Sequence, residues 1–361
     1  MGQSPESTSY NSDKQGVPFY QGNADFGALY PNPRIWCSKP IKLAKENDIL
    51  ISVRAPVGAL NFSKEECCIG RGLAAITLVS NDFLIEFIYW SLRTGVKELQ
   101  SKSTGSTFKS INKKVLEEVR IPIISLKDQE DIIRNITLLT NVLTKYKQET
   151  VFLDELVKAR FVEMFGDPIT NDMVWNTVKL NDVCDGIGDG LHGTPEYDEY
   201  GDYPFINGNN LKNGMIEITP STKMVNEDTY RKHFIKLTKN AILLSINGTL
   251  GNLALYNGEK VMLGKSACYC NLTPDINRIF VCGIMKTDAF SNFLESNATS
   301  STIKNIGLKA IREFVLIVPP LELQNQFASF VQEVDKSRSR IQKSLEASQE
   351  LFDSLMQEYF G

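Results

Sequence analysis

The sequence is poor in the residues from which metal centres and histidine-dependent active sites are built. Its 361 residues include two histidines, His192 and His233, and seven cysteines with no CxxC pair. A zinc site needs four sulfur or imidazole ligands at close spacing. We therefore expect no metal, and we interpret Cys268-Tyr-Cys270 as alternation in a strand. An odd number of cysteines without a framework indicates reduced thiols and a cytoplasmic location.

Long apolar runs are also missing. The N-terminal segment MGQSPESTSYNSDKQG is polar and lacks the apolar stretch of a signal peptide. The longest apolar runs, such as Ala241 to Ile246, are too short to cross a bilayer. The sequence therefore predicts no association with a membrane.

Signatures of enzymes are scarce as well. The segment GEKVMLGKS at 258–266 has five residues between its glycines, whereas a P-loop has four. The segment GIGDG at 186–190 is not followed by a βαβ pattern, and neither a methyltransferase tetrad nor a G-x-S-x-G elbow is present. Asp189 and His192 could form an acid–base or metal pair, but without a third ligand we favour a hydrogen bond within a loop. The sequence predicts no catalytic residue.

The composition is that of a globular protein, and its charge is unevenly distributed. Hydrophobic residues make up 42% of the chain, charged residues 23%, and the net charge is −4. Residues 1–125 hold 15 basic and 12 acidic residues, whereas 126–166, 167–320 and 321–361 are each net acidic. Net acidity argues mildly against nucleic-acid binding, so any positive surface has to be local.

An internal repeat determines the predicted architecture. Residues 104–166 align with 299–361 at a constant offset of 195, which places Gln129 on Gln324. Upstream, NDILISVRAPVG at 47–58 resembles NAILLSINGTLG at 240–251. The chain is thus expected to contain a globule, a helix, a second globule and a second helix, bounded as follows: first globule 1–125, spacer helix 126–166, second globule 167–320, spacer helix 321–361.

The two spacer segments carry a heptad pattern. Apolar residues alternate at steps of four and three, and neither stretch contains proline or an internal glycine. Forty helical residues make a rod of about 60 Å. A rod of this length can best bury its apolar stripe by packing against the other predicted long helix as a two-helix coiled coil. Arg338 and Ser348 interrupt the seam and either weaken the pair or face another subunit. The predicted seam consists of Ile132, Ile136, Leu139, Leu143, Leu153, Val157, Phe327, Val331, Val334, Ile341, Leu345, Phe352 and Leu355.

The globules have the pattern of β-rich domains. Short apolar runs such as 49–53, 73–78, 241–246 and 267–272 are bounded by Gly, Asn and Pro. One helix is expected in each globule, at Phe83–Arg93 and Arg278–Glu295. The predicted fold is therefore α+β: two pseudo-symmetric, mainly-β domains separated by two long antiparallel helices that form an intramolecular coiled coil.

The order of several short motifs resembles that of the specificity subunits of type I restriction-modification enzymes, over essentially the whole chain. No single motif is specific, but their order, found twice, is. In this sequence the motifs are DGLHGTP at 189–195, PFINGNN at 204–210, KSIN at 109–112 and KNIG at 304–307 after Ser/Thr-rich segments, PPLELQ at 319–324, and FVEMFGDP at 161–168.

The resemblance implies a DNA-recognition subunit without catalytic activity. Each target-recognition domain would read one half of a split site in double-stranded DNA, and the paired helices would act as a ruler between them. Two adenine-methyltransferase (modification) subunits and restriction/translocase subunits would be the partners. The cofactors S-adenosylmethionine, ATP and Mg²⁺ would belong to those partners and not to this chain.

The first repeat departs from the second at its start. Residues 174–184 precede the opening motif of the second globule, whereas the first globule begins almost directly at GQSPES, residues 2–7. About fifteen to twenty residues of the repeat have no counterpart there. We expect either a segment that precedes the printed sequence or a first domain that lacks its first strand.

Side chains able to bond base edges are concentrated in the predicted loops. Arg and Lys suit guanine, and Asn and Gln suit adenine. Arg54 aligns with Asn247, the kind of difference that two distinct half-sites require. The alternative for each Asn is an ordinary turn role. The candidates for base or phosphate contact are Gln21, Asn23, Arg54, Arg71 and Lys109 in the first globule, and Asn207, Asn209, Asn210, Asn247, Lys265 and Lys304 in the second.

Lys109 and Lys304 follow Ser/Thr clusters at equivalent positions. Hydroxyl groups, backbone amides and an ammonium suit phosphate contacts, which position a protein on DNA. The alternative is a helix N-cap followed by a solvated lysine.

Two further function classes stay open at the level of sequence. One is a symmetric coiled-coil adaptor that binds proteins and not DNA, and the other is an enzyme with diverged motifs. If the leading hypothesis holds, twofold pseudo-symmetry predicts inverted half-sites about one helical turn apart on a single duplex.

Overall fold

The structure is a computed structural model that describes residues 1–104 and 109–361. The first part of the chain contains β1 (Tyr10–Asn11), β2 (Val17–Tyr20), β3 (Trp36–Cys37), β4 (Leu43–Ala44), β5 (Ile49–Ser52), β6 (Leu60–Phe62), β7 (Cys67–Ile69), β8 (Leu73–Ile76), α1 (Ile85–Thr94), α2 (Val96–Ser101), α3 (Lys113–Glu117) and α4 (Leu126–Phe165).

The remaining elements follow the first long helix. They are β9 (Thr177–Lys179), β10 (Cys184–Asp189), β11 (Tyr203–Ile206), β12 (Leu211–Lys212), β13 (Met215–Ile216), β14 (Met224–Val225), α5 (Glu227–Lys232), β15 (Ala241–Ser245), β16 (Leu253–Leu255), β17 (Met262–Leu263), β18 (Ala267–Leu272), α6 (Arg278–Met285), α7 (Asp288–Asn297), α8 (Leu308–Glu313), β19 (Val315–Ile317) and α9 (Leu321–Phe360).

The chain divides into two compact units, and each combines one globule with part of each long helix. The first unit contains Met1–Lys147 and Gln342–Gly361, and the second contains Gln148–Ile341. Helices α4 and α9 are each 40 residues long and uninterrupted. The predicted α+β fold, with mainly-β globules and two long helices, is confirmed.

The same pair of sheets organises the two globules. In the first unit, β6-β5-β8 form an antiparallel sheet, and a second sheet contains the parallel pair β2–β7. In the second unit, β10-β18-β15-β16 form the antiparallel sheet, and β11–β17 are the parallel pair. Strands β5 and β15 are fully buried, as their continuous apolar sequences predict.

The expectation of one helix in each globule is wrong, because the first globule contains α1, α2 and α3 and the second contains α5, α6, α7 and α8. The single helix expected at Arg278–Glu295 is two helices, α6 and α7. Thr287 leaves the helical conformation between them, and its hydroxyl donates to Ile284 O at 2.7 Å. In addition, β18 pairs with both β15 and β10, whereas its counterpart β8 pairs with β5 alone among the described residues.

Phenylalanine side chains join the globule of the second unit to its helices. The rings of Phe165 and Phe280 are 4.8 Å apart, and those of Phe165 and Phe327 are 5.6 Å apart. Phe161 packs on the same group and sits so close to Gly283 that a Cβ there would lie 2.8 Å from its ring. The helix of the globule and both long helices therefore share one aromatic core.

The first unit repeats this junction with altered side-chain sizes. Phe87 and Phe360, the counterparts of Phe280 and Phe165, have ring centroids 5.2 Å apart. Trp90 takes the place of Gly283 and contacts Phe352 at 5.9 Å. The smaller Met356 stands where the second unit has Phe161, and it is buried. The larger side chain of Trp90, compared with Gly283, is thus offset by the smaller side chain of Met356, compared with Phe161. The two changes together keep the junction closely packed.

One buried glutamine in the first turn of each long helix fastens the adjoining loops. Gln324 Oε1 accepts from Asn277 N at 2.9 Å, and its Nε2 donates to Pro319 O at 2.8 Å. Gln129, at the matching position of the first unit, accepts from Leu84 N at 2.8 Å and donates to Asp82 O at 2.9 Å. Both side chains are fully buried. They satisfy backbone groups that burial would otherwise leave without partners.

The heptad positions of both helices lie on covered faces. Each of the thirteen predicted seam residues is buried or half-buried. In the second unit, Asp154 of α4 bonds Arg338 of α9 at 2.8 Å while Phe165 contacts Phe327, so these segments run antiparallel. In the first unit, Asn135 Nδ2 lies 3.4 Å from Tyr359 OH. Arg338, one of the two seam irregularities, is thus accommodated by a charged partner on the other helix.

We expect Gln324→Ala to lower the free energy of unfolding by about 2–4 kcal/mol, because Asn277 N and Pro319 O would stay buried without partners. Urea denaturation of the full chain measures this change. The matched control is Gln326→Ala, an exposed position two residues along the same helix, which should stay within about 0.5 kcal/mol of the parent. Equal effects of the two substitutions would contradict the role assigned to Gln324.

Candidate nucleic-acid interface

Strand ends bring four of the candidate side chains of the first unit together. Gln21 and Asn23 follow β2, Arg54 follows β5, and Arg71 lies between β7 and β8. All four line one open depression of about 200 Å³, together with Ser4, Gly22, Ala55 and Gly72. The sequence places these residues far apart, so the two sheets are what collect them.

Close backbone contacts hold the loops of this depression in place. Gly72 N donates to Gln21 O at 3.1 Å, and a Cβ on Gly72 would lie 2.3 Å from that oxygen. Buried Asp25 accepts from Gln21 N at 2.7 Å and forms an ion pair with Arg34. Gly72 and Asp25 therefore position Gln21 while the side chains of Gln21, Arg54 and Arg71 stay exposed.

The second unit presents an asparagine-rich loop at the equivalent place. Asn207, Asn209 and Asn210 follow β11 and line a depression of about 310 Å³. Asn209 is exposed, whereas Asn207 Oδ1 accepts from Ser266 Oγ at 2.8 Å. Lys265, the counterpart of Arg71, is exposed beside Ser266. Asn247 follows β15 and is half-buried.

Asn210 differs from its neighbours because its amide is used inside the loop. It is 8% exposed, its Oδ1 accepts from Asn207 N at 3.0 Å, and its Nδ2 donates to Glu217 O at 3.1 Å. A side chain held in this way shapes the loop that carries Asn209. Asp25 has the corresponding task in the first unit.

The two lysine candidates occupy equivalent positions beside the strand tips. Ala55 N donates to Lys109 O at 3.0 Å in the first unit, and Gly248 N donates to Lys304 O at 2.9 Å in the second. Each lysine is therefore adjacent to the tip residue, Arg54 or Asn247, and each is exposed. Residues 105–108 of the first Ser/Thr cluster lie outside the described residues.

Several residues at these surfaces were not identified from the sequence. Ser4 lines the first depression, where its Oγ lies 3.4 Å from Arg71 N. Tyr197 and Lys223 line the second, with the Lys223 ammonium 5.7 Å from the centre of the Tyr197 ring. In the sequence, the three tyrosines of EYDEYGDY, residues 196–203, could have indicated this aromatic surface. An aromatic ring beside a cation suits contact with bases or sugars.

The remaining candidate for catalysis is an exposed hydrogen-bonded pair. His192 Nε2 lies 2.8 Å from Asp189 Oδ2, and His192 is solvent-exposed. Among the described residues, no group of three or more His, Cys, Asp or Glu is arranged to hold a metal ion. Burial raises the pKa of Cys67 to about 11 and that of Cys282 to about 12, so both thiols stay protonated at neutral pH. In the described part of the chain, no helix has the length and apolarity needed to span a membrane.

Comparison with known proteins identifies related sequences for both globules. The profile of a family described as "Type I restriction modification DNA specificity domain" matches residues 9–151 and 174–349. A putative type I restriction enzyme MjaX specificity subunit of Methanocaldococcus jannaschii is 40% identical over 160 residues, which cover 44% of this chain and 37% of that relative. The MjaIX specificity subunit of the same organism is 20% identical over 351 residues, covering 88% of this chain and 77% of the relative.

A solved structure shares the fold. The type I restriction-modification S subunit from M. genitalium superimposes with a TM-score of 0.58 at 16% sequence identity, covering 100% of this chain and 92% of that one. At this identity the likeness concerns the arrangement of strands and helices and not the individual loop residues.

Proposed function

The chain belongs to the type I restriction-modification DNA specificity family, and from that premise we propose that each unit reads one half of a bipartite site in double-stranded DNA. The single observation that carries this proposal is the repeated loop framework with unlike side chains. The tip after the central strand carries Arg54 in one unit and Asn247 in the other, and the neighbouring loop carries Arg71 or Lys265. A conserved framework with variable polar tips is what two different half-sites require.

The chemistry of the tips suits base edges. Arg54 and Arg71 offer paired donors that match O6 and N7 of guanine, and an asparagine amide matches N6 and N7 of adenine. We therefore expect guanine to be prominent in the first half-site and adenine in the second. Asp25 and Asn210 are positioning residues, because their side chains are bonded within their loops.

Phosphate contact is assigned to the lysines. Lys109 and Lys304 are exposed and stand beside the tips, where an ammonium can bond phosphate oxygens without reading sequence. The net charge of −4 is compatible with this assignment, because a few local cations are sufficient for a phosphate contact.

We expect no catalysis by this chain. Methylation and cleavage would be carried out by modification subunits and by restriction or translocase subunits bound to it in the cytoplasm, and these partners would hold S-adenosylmethionine, ATP and Mg²⁺. The chain alone, incubated with DNA and Mg²⁺ or with labelled S-adenosylmethionine, should neither cut nor label the DNA.

The adaptor hypothesis makes an opposite prediction for DNA. A protein-binding adaptor would show no salt-dependent affinity for any duplex, whereas cation–phosphate contacts make affinity fall as salt rises. The mixed polar clusters at the strand ends favour DNA recognition.

We expect Lys304→Ala to weaken binding to all duplexes by a similar factor and to reduce the slope of log K against log salt by about 1, because one phosphate contact is lost. Titrations of cognate and random duplexes at several salt concentrations measure both quantities. Lys336→Ala, which removes an exposed lysine of α9 bonded to Glu333, is the matched control. The phosphate role fails if the two variants behave alike.

We expect Arg54→Ala to relax base preference in one half-site only and Asn247→Ala in the other only, at about 1–3 kcal/mol per base pair affected. Selection of bound duplexes from a randomised pool by each variant reports the preference at every position. If either substitution altered both halves of the recovered site, or neither half, these tips would not be the base-reading residues.

A further inference from the structure

Three loops of the second unit lie side by side at the ends of their strands. Leu191 N donates to Leu263 O at 2.8 Å, and Lys265 N donates to Leu191 O at 3.1 Å. Gly264 N donates to Ile206 O at 2.8 Å. The loop that carries Lys265 is therefore flanked on one side by the asparagine-rich loop and on the other side by the segment that follows β10.

The first unit contains the same arrangement. Gly70 N donates to Tyr20 O at 2.8 Å, and Gln3 N donates to Ile69 O at 2.9 Å, as the corresponding backbone groups of the second unit do. These bonds place the segment that begins at Gln3 beside the loop between β7 and β8. That loop carries Arg71, so the same three-loop surface is present in both units.

Two glycines align the flanking segments residue by residue. A Cβ on Gly2 would lie 2.6 Å from the carbonyl oxygen of the last residue of β7, and a Cβ on Gly190 would lie 1.9 Å from that of the last residue of β17. Each glycine permits the same close approach of two backbones. Counting two residues onward from each glycine, Ser4 corresponds to His192.

His192 therefore holds the position that Ser4 has in the first unit. Ser4 lines the first depression together with Arg54 and Arg71, and the His192 side chain is 71% exposed. The exchange of serine for histidine resembles the exchange of Arg54 for Asn247, because the backbone is retained while the polar side chain differs. His192 thus belongs to the loop surface to which base reading is assigned.

The bond to Asp189 fixes which ring nitrogen of His192 carries the hydrogen. Nε2 of His192 lies 2.8 Å from Oδ2 of Asp189, the last residue of β10. An ionised carboxylate only accepts hydrogen bonds, so in the neutral ring the hydrogen is on Nε2 and Nδ1 is an acceptor. In the described part of the chain, Nδ1 has no hydrogen-bond partner. The ring is thus held with one acceptor available at an exposed position.

We propose that Nδ1 of His192 accepts a hydrogen bond from the exocyclic amino group of adenine or cytosine, and that Asp189 is its positioning residue. The inference rests on the proposed function, since it adds one contact to the reading of the second half-site. In the major groove, adenine N6 and cytosine N4 are the donors of the bases. Phosphate oxygens only accept, so a neutral imidazole with Nε2–H bonded to Asp189 does not bond them.

The first test compares the sites selected by the parent and by His192→Ala from a randomised pool, at about pH 8, where histidine side chains are ordinarily neutral. The variant should lose preference at one base pair of the second half-site by roughly threefold to tenfold. The base lost at that position, adenine or cytosine, identifies the donor. The first half-site should be unchanged. His233→Ala, which removes the other histidine of the chain, is the matched control and should select the parental site.

Base analogues test the assigned atoms directly. At the affected position, adenine is replaced by purine or cytosine by 2-pyrimidinone, and each analogue lacks only the amino group. The parent should bind the analogue duplex roughly threefold to tenfold more weakly. His192→Ala should bind the natural and analogue duplexes alike, because the contact is already absent. An equal loss by the parent and the variant would show that another residue bonds the amino group, and the proposal would be overturned.

A double substitution tests the role of Asp189. Asp189→Ala should weaken the same base preference, because the ring is no longer held and Nδ1 is no longer fixed as the acceptor. Asp189→Ala combined with His192→Ala should behave like His192→Ala alone, whereas additive losses would refute the positioning role. Urea denaturation shows whether each variant is folded. If Asp189→Ala is not, His192→Ala, at an exposed position, decides the proposal.

The possible outcomes separate this inference from the function on which it rests. If the parent selects two blocks and His192→Ala selects the same two, only the inference fails. It also fails if His192→Ala weakens binding to all duplexes by one factor, because that result indicates a phosphate contact. If the parent selects no sequence, the proposed function fails and the inference fails with it.

Discussion

The docking of each globule onto the long helices, through one buried glutamine and one phenylalanine pair, is the interaction on which the rest of the structure depends. Gln129 and Gln324 tie the loop before a globule helix to the first turn of a long helix. The pairs Phe87–Phe360 and Phe165–Phe280 close the same junction by packing. Because polar satisfaction and close packing both act there, each globule has a defined orientation on the helices of its own unit. The strand-end loops inherit that orientation.

The constraint explains which parts of the molecule vary between the repeats. At the junction, side chains change in compensating pairs, as when Trp90 replaces Gly283. At the strand tips Arg54 is exposed and Asn247 is half-buried, so the side chain there can differ between the repeats without a compensating change in the core. A rigid framework with free tips suits a member of the DNA specificity family, since base preference can change without a change in fold.

The fold could largely be predicted from the sequence, because repeats and periodicity are local signals. The heptad pattern predicted both long helices to within a residue, and the runs at 49–53 and 241–246 predicted the buried strands. The break at Thr287 was missed, since one hydroxyl bond decides it. At the candidate site, the convergence of Gln21, Asn23, Arg54 and Arg71 could not be predicted, because it depends on sheet pairing. For the same reason the sequence could not predict that the Asn210 side chain is hydrogen-bonded within its loop or that Ser4 lines the first depression. Whether these side chains contact DNA stays a prediction.

The central claim is that one chain reads two separate sequences in one duplex. Its most direct test is selection of bound DNA by the full-length protein from a long randomised pool, followed by sequencing of the recovered molecules. The account predicts two short specified blocks separated by unspecified base pairs at a fixed distance. Recovery of a single block, or of no enriched sequence at any salt concentration, would contradict it.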